Sequence, residues 1–200
     1  MTTSPLHVLL IVGTNRRHSV SGHLTRWLAG VHEDLGHRPE ILDLADMPPE
    51  IYSSDDYSET ANPESFCMVV RQVQNAESFV VIIPEYNGGM PGSFKHWVDR
   101  LPHRDFLLGG RPVSFVGVAA GEWGGLRPVE QAQAAFLYRK SYLFPERIYI
   151  RDSEDALDDD GVPRSEDLRA RLRNQAQRFG TFARCLRPLR NLFTTVADPG

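Results

Sequence analysis

Three short segments combine residue types that a plain turn does not need. Val12 to Gly22 reads VGTNRRHSVSG, leaving an apolar run and opening an amphipathic one. A helix start offers unpaired N–H groups and a positive dipole end, so the hydroxyls of Thr14, Ser19 and Ser21 beside Arg16 make a cradle for a phosphate or similar anion. A plainer account makes Ser19 or Ser21 a helix N-cap and Arg16 a solvated loop residue, and the segment alone leaves both open. It is not a P-loop, since GxxxxGK[ST] is absent and no lysine stands there. Pro84 to Trp97 reads PEYNGGMPGSFKHW. Gly88 and Gly89 permit positive φ and close approach of backbone to a planar ligand. Tyr86 adds an aromatic surface, Asn87 adds donors and acceptors, and Pro91 with Gly92 punctuates entry to a helix. Ala119 to Pro128 reads AAGEWGGLRP, where Gly121, Gly124 and Gly125 leave backbone accessible and AxGxxG forms a degenerate dinucleotide fingerprint. A dehydrogenase-type nucleotide site there ranks below the first cradle, because only one strand candidate follows it.

The elements that hold these segments follow from hydrophobic periodicity. Apolar, β-branched runs at His7 to Val12, Glu40 to Leu44, Phe79 to Ile83, Val113 to Ala119 and Arg147 to Ile150 are expected strands. Amphipathic stretches at Ser21 to Leu35, Pro63 to Ala76, Gly92 to Leu101, Pro128 to Arg139 and Pro163 to about Arg187 are expected helices, the last through Leu168, Leu172, Ala176, Phe179 and Ala183. Strand and helix in alternation imply a parallel sheet with helices on both faces, and strands buried on both faces need not alternate. Ligands of such sheets bind outside the carboxyl ends of the strands, where the three segments fall.

Two hundred residues, 41% hydrophobic and 24% charged, can bury one sizeable core, so one domain over residues 1–187 with a tail at 188–200 is expected. A net charge of −4 and a pI near 6.0 give no global attraction to nucleic acid or to membranes. The eight arginines between Arg164 and Arg190 could mark an RNA-binding helix, but a solvated face beside the acidic Asp152 to Gly161 loop is the simpler account. That loop and Tyr52 to Asn62 read as mobile, Pro188 should end or kink the last helix, and Asn191 to Gly200 reads as frayed. Cys67 and Cys185 form no CxxC and suit a reducing compartment, no apolar run approaches the ~20 residues of a membrane span, and no signal-peptide pattern opens the chain. A cytoplasmic protein is expected. The seven histidines, Glu85 and Glu122 show no metal-ligand spacing, so no metal is expected, and no GxSxG points to a serine hydrolase.

Taken together, the three segments resemble the NADPH-dependent FMN reductase family of flavodoxin-like proteins, which includes quinone, chromate-type and azo-dye reductases. That family carries GSxRxxSxN after its first strand and PEYNxSxPGxLKNAxD after its third; here Gly13, Arg16 and Ser19 match the first, and Pro84 to Asn87, Pro91, Gly92, Lys95 and Asp99 match the second. Thr14 replaces Ser, Ser21 replaces Asn, Phe94 replaces Leu, and His96 with Trp97 is bulkier than the pattern. The resemblance spans about His7 to Gly180. It implies a three-layer sandwich with strand order 2-1-3-4-5, FMN as cofactor, and NADPH or NADH as co-substrate. It further implies a small acceptor, such as a quinone, flavin, azo compound or metal oxyanion, and assembly as a homodimer or homotetramer. Thr14, Arg16, Ser19, Val20 and Ser21 would hold the phosphate. Pro84, Glu85, Tyr86, Asn87 and Gly88 would line the isoalloxazine, with Gly121, Gly124 and Gly125 on its other side. Phe94, Trp97, Phe136 and Tyr138 are the aromatic cluster from which a subunit contact is expected; core packing is the plainer account. A flavodoxin-type FMN carrier without turnover is the alternative, disfavoured by Arg16 and by the modest negative charge. Flavin carries the hydride step, so no side chain is assigned as acid or base.

Overall fold

The computed structural model describes residues 4–53, 64–102 and 107–192. Five parallel strands, β1 (His7–Val12), β2 (Arg38–Asp43), β3 (Ser78–Pro84), β4 (Pro112–Val118) and β5 (Tyr142–Ile150), form one sheet in the order β2-β1-β3-β4-β5. Every residue of β3 and β4 is buried, which is why these strands read as continuous apolar runs rather than alternating ones. Between them run α1 (Val20–Asp34), α2 (Glu50–Ser53), α3 (Glu64–Asn75), α4 (Gly92–Arg100), α5 (Leu126–Tyr138), α6 (Ser153–Ala156) and α7 (Glu166–Leu186). The strand period of two sorts β1: Leu9 and Ile11 join Phe66, Trp97 and Phe136 of α3, α4 and α5 in one core. Val8 and Leu10 join Leu24 and Leu28 of α1 and Leu172 and Phe179 of α7 in the other. The chain leaves β1 outward to β2 and returns to β3 on the opposite side, so the exits of β1 and β3 diverge and open a crevice.

Most expected elements are present with ends shifted by a residue or two. The larger difference is β5, which starts at Tyr142 rather than Arg147. Pairing jumps from Val113 with Leu143 to Phe115 with Arg147, so the stretch containing Pro145 bulges out on an edge strand, where a missing N–H is tolerated. Helix α5 starts before Pro128, whose first-turn position needs no N–H donor. Helix α7 starts at Glu166, capped by Ser165 accepting from Leu168 N at 3.2 Å, and it gives way to a 3-10 turn, Arg187–Leu189, at Pro188.

Four expectations need restating. The acidic Asp152 to Gly161 stretch is folded: it contains α6, pairs Leu157 with Pro163, and uses the Asp158 carboxylate to accept from Val162 N at 2.8 Å. The arginines around α7 do more than face solvent: Arg173 pairs with Asp34, Arg178 with Glu146 and Arg187 with Glu77, and Arg164 donates to Leu157 O of that stretch at 3.1 Å. Of the aromatic cluster, Phe94, Trp97 and Phe136 are fully buried under the sheet and only Tyr138 is exposed, so core packing accounts for three of its four rings. Tyr52 sits on α2, while residues 54–63 of the expected mobile loop and 193–200 of the tail lie outside the described residues. Beyond Pro188 the chain is still held, since Arg190 donates to Gln74 O at 2.9 Å. Among the described residues no helix is long and apolar enough to cross a membrane.

Candidate functional site

At the end of β1 the chain presses against β3. Gly13 N donates to Ile82 O at 2.8 Å, and a Cβ on Gly13 would stand 3.0 to 3.1 Å from Ile83 and Ile82 O, so only glycine passes without displacing β3. Thr14, fully buried, places its hydroxyl 3.0 Å from the Tyr86 hydroxyl and accepts from Arg16 N at 3.2 Å. His18, at φ 55°, turns the chain into α1. Ser19 is the N-cap: its Oγ accepts from Gly22 N at 3.1 Å. Ser21, 1% exposed, leaves its Oγ with no partner among the described residues, although it lines a cavity. The two serines that the sequence could not tell apart therefore have different tasks. One closes the helix and the other is left for something else.

After β3, Tyr86 and Gly89 exchange backbone hydrogen bonds at 2.9 and 3.0 Å across Asn87 (φ 51°) and Gly88 (φ 76°). This is the Asn-Gly two-residue turn, in which both central residues take positive φ. Positive φ thus falls on Asn87 and Gly88, not on Gly88 and Gly89 as expected. Gly89 is small for another reason, since its Cβ would meet Gln131 Oε1 at 3.2 Å, the same atom that accepts from Met90 N at 2.8 Å. The Arg16 guanidinium lies over the Tyr86 ring, 4.9 Å from its centroid, joining the first segment to the second.

The third segment divides more sharply. Gly121 is exposed and nothing lies within 4 Å of the place its Cβ would take. Gly124 (φ 57°) and Gly125 (φ 85°) are buried against the backbones of β5 and β4, so they serve close packing at the start of α5 and do not present backbone to a ligand. Of the three glycines expected to border a bound ring, only Gly121 lines a cavity.

These segments enclose a cavity of about 300 Å³. Arg16, His18, Ser19, Val20 and Ser21 form one end, and Pro84, Glu85 and Tyr86 line it beside Val118 to Ala120, with Glu85 N donating to Val118 O at 3.0 Å. A second cavity of about 230 Å³ shares Glu85, Ala119 and Ala120 and continues to Gly88, Gly121 and Trp123. Thr14, Asn87, Gly124 and Gly125 line neither cavity. Sequence reasoning missed Ser153 and Glu154 of α6, which line the first cavity because Ser153 N donates to Ala119 O at 3.1 Å. It also missed Arg127, whose guanidinium donates to Glu85 Oε1 at 3.0 Å. Neither carries a local signal.

The donor set at the Arg16 end suits a phosphate: a guanidinium, a partnerless buried hydroxyl at Ser21, and the first-turn N–H groups of α1, which have no intrahelical acceptor. The profile of the NADPH-dependent FMN reductase family matches residues 6–155. The chain belongs to that family. It is accordingly an NAD(P)H-dependent oxidoreductase that uses FMN and passes electrons to a small acceptor. This FMN reductase family member is 27% identical to a 2-hydroxy-1,4-benzoquinone reductase from Burkholderia sp over 184 residues, which is 90% of this chain and 97% of that protein. It is 30% identical to a quinone reductase from Escherichia coli (strain K12) over 125 residues, 61% of this chain and 64% of that protein. The fold superposes on the flavoenzyme NAD(P)H:(acceptor) oxidoreductase FerB from Paracoccus denitrificans with a TM-score of 0.75 at 22% identity, covering 90% of this chain and 98% of that one.

Proposed function

We propose that the two contiguous cavities hold FMN and its reaction partner, with the FMN phosphate on Arg16, Ser21 and the N–H groups of Val20 and Ser21. The observation that carries this reading is Ser21 Oγ, buried and without a partner among the described residues, in the cavity that Arg16 also lines. A buried hydroxyl left unpaired costs ~1 to 3 kcal/mol, and a phosphate oxygen removes that cost. Ser19 keeps the helix start in place, and Thr14 holds the Tyr86 hydroxyl so that the ring stays beside Pro84 and Glu85. Pro84, Glu85, Tyr86 and Gly88 line the two cavities together with Ala119, Ala120 and Gly121, whose small side chains leave room for a flat ring system. Bound there, FMN would supply the hydride-accepting and electron-passing chemistry that the side chains lack. The residues bind, orient and exclude water. Small acceptors are the class that fits, and quinones lead because relatives named as quinone reductases match this chain.

The decisive measurement is the visible spectrum of the purified protein, which should show flavin bands that NADPH bleaches without oxygen. Arg16→Ala should weaken FMN by about 10- to 100-fold, because a charge-assisted hydrogen bond is worth roughly 1.5 to 3 kcal/mol. Riboflavin should bind the wild type much more weakly than FMN. Equal affinity for the two flavins in a fluorescence-quenching titration would remove the phosphate from this end of the cavity.

Residues 1–187 are read as one FMN-binding domain with 188–200 as its tail. The two free cysteines, Cys67 and Cys185, both exposed, support a reducing, cytoplasmic setting. A homodimer or homotetramer is the assembly expected, with exposed Leu137 and Tyr138 at the end of α5 as the apolar surface available for it. Sedimentation at micromolar concentration should give a multiple of the 22.6 kDa chain mass; a monomer would refute it.

A further inference from the structure

Trp123 is 55% exposed, whereas Trp97 is fully buried and Trp27 is half-buried. An indole left in water has lost the burial that accounts for most tryptophans, and this one lines the cavity of about 230 Å³ that continues from the proposed FMN cavity. The Arg127 guanidinium lies over the indole, 5.9 Å from its centroid, and also donates to Glu85 Oε1 at 3.0 Å. One side chain at the start of α5 therefore ties together Trp123 and Glu85, which both line that cavity. The remaining lining is Gly88, Ala119, Ala120 and Gly121. Gly121 needs neither positive φ nor close packing, since nothing lies within 4 Å of its absent Cβ; what its smallness preserves is space. That space is below the roughly 300 to 1,000 Å³ of sites that take drug-sized ligands, which suits one ring and not a whole dinucleotide.

The geometry points to Trp123 as the specificity-determining residue on which the planar ring of the co-substrate docks, with Arg127 as the positioning residue that holds Trp123 and Glu85 in register. The inference rests on the FMN reading above, which places the flavin in the adjoining cavity. The ring in question is the nicotinamide or that of an aromatic acceptor, and both share the flat π-face that an indole recognises.

The test uses the FMN-loaded protein. Trp123→Ala should raise KM for one of the two co-substrates about 3- to 10-fold with kcat and flavin absorbance retained, and Trp123→Phe should return KM to near wild type. The co-substrate whose KM moves, NADPH or 1,4-benzoquinone, identifies the ring. Gly121→Val, which fills the space without a backbone clash, should raise the same KM. Arg127→Met should behave like Trp123→Ala, and Arg127→Lys should recover part of the loss. An independent readout is intrinsic fluorescence: oxidised NADP or hydroquinone, added without turnover, should quench red-shifted emission in the wild type, and that component should be missing in Trp123→Phe. Unchanged KM values in Trp123→Ala, or the same quench in Trp123→Phe, would overturn the assignment. If the wild type carries no flavin bands, the FMN reading has failed, and the quench measured on that protein still decides whether a ring docks on Trp123.

Discussion

As pH falls from 6.5 toward 4, the fold is expected to lose ~3 kcal/mol or more, through two buried histidines. His32 on α1 and His37 before β2 are 1% and 7% exposed and share a hydrogen bond, Nδ1 to Nδ1, of 2.9 Å. That bond needs one ring as donor and the other as acceptor, which two neutral imidazoles supply. Burial, then the neighbouring His37, pushes the His32 pKa down to about 3; burial, then the Arg184 guanidinium, pushes His37 down to about 4. Both folded values lie below the unfolded value near 6.5, so the unfolded chain binds more protons in the interval. The stabilisation is therefore complete above pH 6.5 and drains as pH falls through the window toward 4 and 3. One proton over two and a half pH units is worth about 3 kcal/mol, a large part of the ~5 to 15 kcal/mol that holds a typical domain. Guanidinium midpoints at pH 7.0, 6.0, 5.0 and 4.5 should fall steadily for the wild type. His32→Gln, whose amide can still donate to His37, should show a shallower fall, and equal slopes in the two proteins would exclude the pair as the cause.

Within the third segment, Gly125→Val is expected to lower stability by about 3 to 5 kcal/mol while Gly121→Ala changes it by less than about 0.5 kcal/mol. Gly125 combines φ 85° with a missing Cβ that would stand 2.7 Å from Val118 N and 2.9 Å from Gly117 Cα. A β-branched residue there meets a left-handed backbone and two immovable atoms of a fully buried strand. Because Gly125 also begins α5, the strain reaches Arg127 and Gln131, which hold Glu85 and Met90. For a chain of this length the melting temperature should drop by roughly 6 to 20 °C. Gly121, four residues away, meets nothing, so its alanine should melt with the wild type. Equal melting temperatures for all three proteins would show that the start of α5 can shift away from β4.

The alternation of apolar runs with amphipathic stretches was enough, by itself, to place three unusual segments at the carboxyl ends of strands in a parallel sheet. Arg16 is likewise legible as a cation beside hydroxyls, and a turn is legible at Asn87 to Gly89, although positive φ falls on Asn87 and Gly88 rather than on the two glycines. Turn chemistry and a cation beside hydroxyls are properties of a few consecutive residues, and they survive in any fold that contains them. What could not be read from the chain depends on contacts between residues distant in sequence. Ser19 and Ser21 are equivalent as text, and only the helix start decided which one spends its hydroxyl on Gly22 N. Gly121, Gly124 and Gly125 look alike until β4 and β5 pack against two of them. Phe94, Trp97 and Phe136 could have faced a partner subunit, but the sheet covers them. Arg127 reaches Glu85 across 42 positions and Gln131 reaches Met90 across 41, and no local pattern marks either pairing. Local propensity settled the five strands and the five longer helices and, the start of β5 apart, where their ends lie within a few residues. Packing settled which side chains face the cavity, because burial and hydrogen-bond partners are supplied by whichever element the tertiary fold lays alongside.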